Sequence, residues 1–283
     1  MPFRPAGIAL ILYAVALGGA APAGMPAAAA PEPSYADLVD LSDSAPLVLK
    51  ARIIRQSVVE PERAPGVRPG WVRLYVQAGV EALLFGKTAV GRDQAYLVDV
   101  PLDARGKAPK LTKTSVLLFA RPAANRPGEL QLVTPDAQIP STPERDARVR
   151  AIIGELVTPG APGRIGGVRE AINVAGDLAG EGETQLFLTT KSGAPVAITV
   201  SHKTGEPPRW SVSFSEVVET DARPPVPDTL SWYRLGCFLP RRLPPTVNLS
   251  EGDAQRGQAE ADYEFVLREL GTCERTRVFG LAG

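Results

Sequence analysis

His202 is the only histidine in the chain, so any mechanism that moves a proton through an imidazole must use it. It closes the alternating run Val196 to His202 beside Lys203. No serine occupies a Gly-x-Ser-x-Gly turn, and the two cysteines have a better use than nucleophilic attack, so the histidine lacks an obvious partner for hydrolysis. The plainer account is a cross-strand histidine near a turn. Paired carboxylates are the second option, as in glycoside hydrolysis, and Glu181, Glu183, Glu216 and Glu219 are the local candidates. In an extended segment Glu181 and Glu183 would share one face, although such pairs are also common on solvated surfaces. Arg209 and Trp210 stand where a loop enters a strand, and a guanidinium beside an indole suits a sugar or a peptide. Trp210 as core with Arg209 as a solvated rim is the simpler alternative.

Other chemistries are excluded by count or spacing. One histidine and two cysteines cannot supply a two-imidazole metal site, a zinc knuckle or an iron-sulfur cluster, so no metal site is expected. The glycines between 160 and 167 do not spell Gly-x-Gly-x-x-Gly and no Gly-Lys-Ser/Thr follows them, which leaves a nucleotide cradle unsupported. Asp177 to Glu183 lacks the alternating oxygen ligands of a calcium loop. Asn248-Leu249-Ser250 matches a glycan acceptor, but Ser250 followed by Asp253 reads better as a helix cap. With 31 basic and 31 acidic residues there is no net field for a polyanion, so nucleic acid is not an expected partner. The residues thus name no catalytic group and no cofactor.

Cys237 and Cys273 each extend the apolar face of a predicted helix, and a disulfide between them is expected if the chain reaches an oxidising compartment. In the loop-entropy description such a cross-link disfavours the unfolded chain by about 4 kcal/mol. No Cys-x-x-Cys pair is present, which argues against a redox enzyme.

The first thirty residues supply the compartment. Arg4 is followed by the apolar run Ile8 to Leu17 and then by small residues to Ala30, the order of a secretory signal. As a helix that run is roughly 15 Å long, half a bilayer core, so it predicts a cleaved leader and no permanent membrane anchor. Cleavage is expected near Ala29/Ala30, with Gly24 as another possible start, and the protein is expected in the periplasm or outside the cell. The absence of any cysteine before Cys237 removes a lipid attachment point at this signal.

The elements that must position these residues follow from periodicity. Ser34 with Asp37 caps a short helix carrying Tyr35, Leu38 and Val39. Period-two runs then begin at Leu47, at Trp71 (bending near Gly79), at Tyr96, at Val116 and at Leu130: five strands, enough to close a small barrel. Thr142, Pro143 and Glu144 open a helix with the stripe Val149, Ile152, Ile153 and Leu156. Residues 158–167, rich in glycine and proline, read as a linker between a barrel domain, 31–157, and a second domain, 168–283. In the latter, Gln185 to Thr190, Val196 to His202 and Trp210 to Val218 form an antiparallel meander, with Gly167 to Val174 as an edge strand. Asp228 caps a helix through Cys237, and Ser250 caps another bearing Tyr263, Val266, Leu267 and Leu270. The fold class is therefore α+β: a small OB-like β-barrel with a packed helix, then an antiparallel sheet with a disulfide-linked helical pair.

The segment from "LVLKARI" through "VRLYVQAGVEALLFGK" to "VLLFARP" and "ELQLVTPDA", residues 46–134, resembles the oligonucleotide/oligosaccharide-binding barrel of secreted netrin-like and metalloprotease-inhibitor domains. Inhibitors of that group place a cysteine at the mature N-terminus to bind a metal, and none stands there in this chain. The later segments "GEGETQLFL" and "RWSVSFSEV" resemble exported bacterial proteins without an assigned activity. The functional expectation is a non-catalytic binding module for a protein, peptide or glycan, with Arg209, Trp210 and His202 as candidate contacts. A hydrolase using carboxylates or His202, and an inhibitor of secreted enzymes, are the alternatives.

Overall fold

The computed structural model describes residues 32–214 and 223–277, together with Met1. The leader, the carboxylates Glu216 and Glu219 and the end of the Trp210 to Val218 run lie outside the described residues. Helix α1 (Tyr35–Ser44) starts in a reciprocal capping box: the Ser34 hydroxyl accepts the Asp37 amide while the Asp37 carboxylate accepts the Ser34 amide. It leads into β1 (Leu47–Val58), β2 (Trp71–Phe85), β3 (Asp93–Pro101), β4 (Ser115–Pro122) and β5 (Glu129–Leu132). These five close into a barrel in the order β1-β2-β3-β5-β4, with β4 pairing back onto β1 and β3–β5 the parallel contact. A short strand the sequence pattern did not single out, β6 (Gln138–Pro140), extends β4 on its far side. The long second strand bends as expected. Its register with β1 slips between Ile53 and Arg55, opposite Ala78 and Gln77 and beside Gly79, and such slips let a strand coil around a small barrel.

Alternation decides the inside of the barrel: Leu74, Val76 and Ala78 of β2 and Tyr96, Val98 and Val100 of β3 are buried, while Arg73, Tyr75 and Gln77 face out. Strand β4 departs from alternation because Val116 through Ala120 are all buried. Helix α1 packs against it, and the neighbouring β1 is tied to α2 (Pro143–Val157) through a Lys50–Asp146 ion pair of 2.8 Å.

The second lobe is an antiparallel sheet in the order β10-β9-β8-β7, formed by β7 (Ile165–Ala175), β8 (Gly182–Thr190), β9 (Val196–His202) and β10 (Arg209–Ser213). Strand β7 begins inside the glycine-rich stretch and is an edge strand, its free side met by the Leu249 amide donating to the Ala171 carbonyl. Helix α4 (Gly252–Leu270) covers the sheet face that holds Leu186, Ile198 and Val200 and also packs on α3 (Leu230–Gly236). The caps differ by one residue from the pattern. Thr229, not Asp228, caps α3, because Asp228 has a positive φ. Ser250 is not the cap of α4 either; its hydroxyl donates to Asn248 and accepts the Asn173 amide, leaving Glu251 at the N-cap. Asn248 is itself buried, its amide nitrogen held by the Arg256 carbonyl.

The Cys237–Cys273 disulfide is formed, with Cα atoms 5.1 Å apart. It does not join two helix faces. Cys237 is the C-cap of α3, and Cys273 lies beyond Gly271, the residue that ends α4, in the segment 272–277, which forms neither helix nor strand.

The lobes meet through α1, which touches both α2 and α3. Three of its acids, Asp37, Asp40 and Asp43, lie at steps of three and receive partners from far along the chain. The Asp37 carboxylate accepts the Thr276 amide and hydroxyl at 2.9 and 2.8 Å. Asp40 accepts the Tyr233 hydroxyl and pairs with Arg275 at 2.6 Å, and Asp43 pairs with Arg234 at 2.8 Å and Arg164 at 3.2 Å. Arg234 is almost fully buried and also donates to the Pro162 carbonyl. Burial by itself would raise the pKa of Asp37 and Asp43, but hydrogen bonds from Thr276 and Ser34 to the first, and the two guanidiniums at the second, outweigh it and hold both below the usual carboxylate range.

Two outcomes follow from this packing. Phe119→Ala, in the buried run of β4, is expected to lower unfolding free energy by about 3–5 kcal/mol in urea titration. Because the folded carboxyls of Asp37 and Asp43 are depressed, the unfolded chain binds more protons at acid pH. The stability they contribute is complete above the unfolded value of about 4 and falls as pH drops through the folded values. Denaturant midpoints measured from pH 6 down to pH 2 should therefore decline below about pH 4, and Asp43→Asn should flatten that decline.

Candidate functional site

A groove of about 1040 Å³ lies on the outer wall of the barrel. It runs across the end of β1, across β2 and β3, and onto β5, between the β1–β2 connection (Val59, Glu60, Arg63) and the β4–β5 connection (Ala123 to Arg126). Strand register builds its floor. Ser57 pairs with Tyr75 and Tyr75 with Leu97, so three outward side chains form one row across three strands. The neighbouring row pairs Arg73 with Asp99.

That second pair is rigid. Both Asp99 oxygens accept from the Arg73 guanidinium, at 2.7 and 2.8 Å, with the aspartate side chain 1% exposed and the arginine 19% exposed. The hydrogen bond to Asp99 raises the Arg73 pKa further, against the lowering effect of burial. The backbone adds a second hold, as the Asp99 amide donates to the Pro135 carbonyl at 2.8 Å. Tyr75 and Leu97 are left 37% and 48% exposed at the centre, with Val58 exposed at one end. Of the rim arginines, Arg126 is paired with Glu129 and Arg121 donates to Gln131, while Arg63 is exposed on the β1–β2 connection. The groove thus combines an apolar centre, a neutralised ion pair and guanidiniums at its edges, which suits non-covalent recognition.

The residues singled out from sequence lie elsewhere and do not converge. Arg209 and Trp210 are neighbours on β10 and so leave opposite faces of the sheet. Arg209 is exposed and pairs with Glu206 across the turn at 3.2 Å. Trp210 is buried opposite Val200. His202 occupies the end of the face covered by α4, where its Nε2 lies 2.7 Å from an oxygen of Asp262. Asp262 is 2% exposed and also accepts from the Thr184 hydroxyl and, at 2.9 Å, from Gln258; Thr184 in turn accepts from Asn173 at 2.8 Å. This chain of polar groups spans β7, β8, β9 and α4 and fastens the helix to the sheet. Glu183 faces the other side of the sheet, its carboxylate accepting from Gln185, and Glu181 lies in the turn before β8.

Parity was the signal that could have found the groove. In β3 the residues Tyr96, Val98 and Val100 point inward, so Leu97 is an aliphatic residue on the outward parity, opposite an outward tyrosine. Sequence spacing alone does not show that Ser57, Tyr75 and Leu97 are in register.

No group of His, Cys, Asp and Glu able to hold a metal occurs among the described residues, and no described helix is long and apolar enough to cross a membrane. Compared with known protein families and with curated proteins, the chain matches none. Removing the carboxylate that the α4 lock converges on, as in Asp262→Ala, takes the acceptor from the buried Thr184 hydroxyl and from the half-buried Gln258. Its expected cost is about 2–4 kcal/mol by chemical denaturation, against under about 1 kcal/mol for the exposed Arg209→Ala.

Proposed function

We propose that the protein is an exported, non-catalytic binding module that holds an extended peptide in the barrel groove. The observation that carries this reading is the Ser57–Tyr75–Leu97 row, which leaves a tyrosine ring and an aliphatic side chain exposed at the centre of a large concave surface. An aromatic beside an aliphatic offers the kind of anchor that dominates peptide recognition. Tyr75 is the exposed aromatic of the lining, since Tyr96 is buried, and its partners Leu97 and Val58 are aliphatic. Apolar peptide side chains fit that wall better than a sugar, whose recognition relies on broader aromatic faces. Arg63 and Arg121 at the rim suit peptide carbonyls or an acidic side chain.

The position of the groove agrees by analogy with the way five-stranded barrels of this order use strands 2 and 3 and the flanking connections to bind ligands. A nucleic-acid ligand is not supported by the balanced charge. Export is supported by the order of basic, apolar and small residues in the first thirty positions and by the disulfide, which persists in oxidising compartments.

Selection of displayed random peptides on the full chain, followed by fluorescence anisotropy with the selected sequence, tests the reading. Tyr75→Ala and Leu97→Glu should each weaken binding by roughly tenfold or more while shifting stability by under about 1 kcal/mol. Peptides that bind both variants as well as the parent, or a glycan array that yields ligands where peptide selection yields none, would overturn it.

A further inference from the structure

The disulfide and the groove are joined by the last seven described residues. Residues 272–277 form neither helix nor strand, so their course is set by the bond at Cys273 and by side chains. Arg275 reaches Asp40, Thr276 reaches Asp37 and the Glu32 carbonyl, and the Arg277 guanidinium donates to Asp136 and, at 2.7 Å, to the Thr134 hydroxyl. Thr134 and Pro135 line the groove. Pro135 in turn holds the Asp99 amide, and Asp99 holds Arg73 on the groove floor. A continuous set of contacts therefore leads from the cross-link to the wall of the proposed peptide site.

The rest of the fold has ties of its own besides that cross-link. The end of α4 is fixed by the Trp232 indole donating to the Leu270 carbonyl at 2.7 Å, and Gly271 closes the helix through its own amide. The Tyr263 hydroxyl donates to the Pro240 carbonyl, and the Asp262 network ties the middle of α4 to the sheet. With the disulfide cleaved, the helices and both sheets keep these ties, and residues 272–277 are held only by the side-chain and backbone bonds of Arg275, Thr276 and Arg277.

The bond is also placed to be cleaved. Both cysteines are half-buried rather than enclosed, and the Arg275 Nη1 lies 3.5 Å from the Cys273 sulfur. A guanidinium there stabilises a thiolate on Cys273 and makes it the better leaving group.

From these contacts we propose that the Cys237–Cys273 bond is a redox-controlled catch on a C-terminal strap that keeps the groove wall in its binding geometry. The reductant is a dithiol. Its thiolate attacks the Cys237 sulfur, the S–S bond breaks, and Cys273 leaves as a thiolate beside Arg275. The second thiol of the reductant then attacks the mixed disulfide and releases Cys237. Two electrons pass from the dithiol, which becomes a disulfide, to the protein, which ends with two thiols once protonated. Without the catch, the strap withdraws from Asp136 and Thr134, and the Pro135–Asp99 wall loosens.

The inference rests on the peptide-groove reading, and two measurements separate their failures. The first needs no ligand: amide hydrogen exchange of the full chain, oxidised and after treatment with dithiothreitol. Exchange should quicken roughly tenfold or more at residues 273–277 and at 133–137 and 99, with β8 and β9 unchanged. General unfolding on reduction, or unchanged exchange at 133–137 and 99, overturns the proposal. The second uses the peptide selected on the groove. Reduction, the Cys237→Ser/Cys273→Ser double variant, and Arg277→Ala in the oxidised protein should each weaken it severalfold. If exchange responds and this affinity does not, control of the groove is refuted while the groove itself stands. If no selected peptide depends on Tyr75 or Leu97, the groove reading fails and takes the control of binding with it.

Discussion

A short helix with an acid on every turn has to be neutralised by something, and in this protein the partners come from the other end of the chain. Asp37, Asp40 and Asp43 lie along α1, and between them they hold Thr276, Arg275, Tyr233, Arg234 and Arg164. Two consequences follow from pairing these carboxylates. Asp37 is buried and Asp40 and Asp43 are partly shielded, and each is held by several donors, since a carboxylate withdrawn from water without partners is costly. The donors are also spread over the segment before β7, α3 and the tail, so satisfying α1 fixes where all three run. The position of the second lobe against the barrel is set by this electrostatic requirement together with the contacts of α1, α2 and α3.

The same arrangement determines which wall of the barrel stays open. α1 takes the flank of β4, whose residues Val116 to Ala120 are all buried, and α2 is tied to β1 through Lys50. Among the described residues, no α-helix lines the groove on β2, β3 and β5. Its ion pair, Arg73 with Asp99, has both charges satisfied within the wall, so the floor is stiff without being strongly charged. Tyr75 and Leu97 stand free on that stiff floor, which lowers the ordering cost of binding. The tail reaches Thr134 and Asp136 at the edge of this wall, so residues that neutralise α1 also bear on the groove.

The polar chain beneath α4 illustrates how a residue type can suggest chemistry and serve packing. His202 paired with a buried carboxylate is an arrangement found in proton-transfer sites. Here the carboxylate is shared with Thr184 and Gln258 and the histidine closes the end of a sheet face, so the group's evident work is holding a helix in register. Trp210 likewise fills the sheet core behind the turn where Arg209 is solvated.

Local chemistry made much of this legible in advance. Capping at Ser34 and Thr142, the period-two runs of five strands, the stripe of α2 and the pairing of the two cysteines each depend on neighbours a few residues away or, for the cysteines, on there being one partner to choose. The caps expected at Asp228 and Ser250 fall one residue later, at Thr229 and Glu251, because Asp228 has a positive backbone angle and the Ser250 hydroxyl is held by Asn173 and Asn248. The groove, the Asp262 network and the course of the tail were not legible. Each joins residues that are between about twenty and two hundred and forty positions apart, and their meeting depends on strand register, barrel closure and the matching of buried charges. Periodicity carries the face on which a side chain lies; which distant side chain lies opposite is decided only when the chain closes on itself.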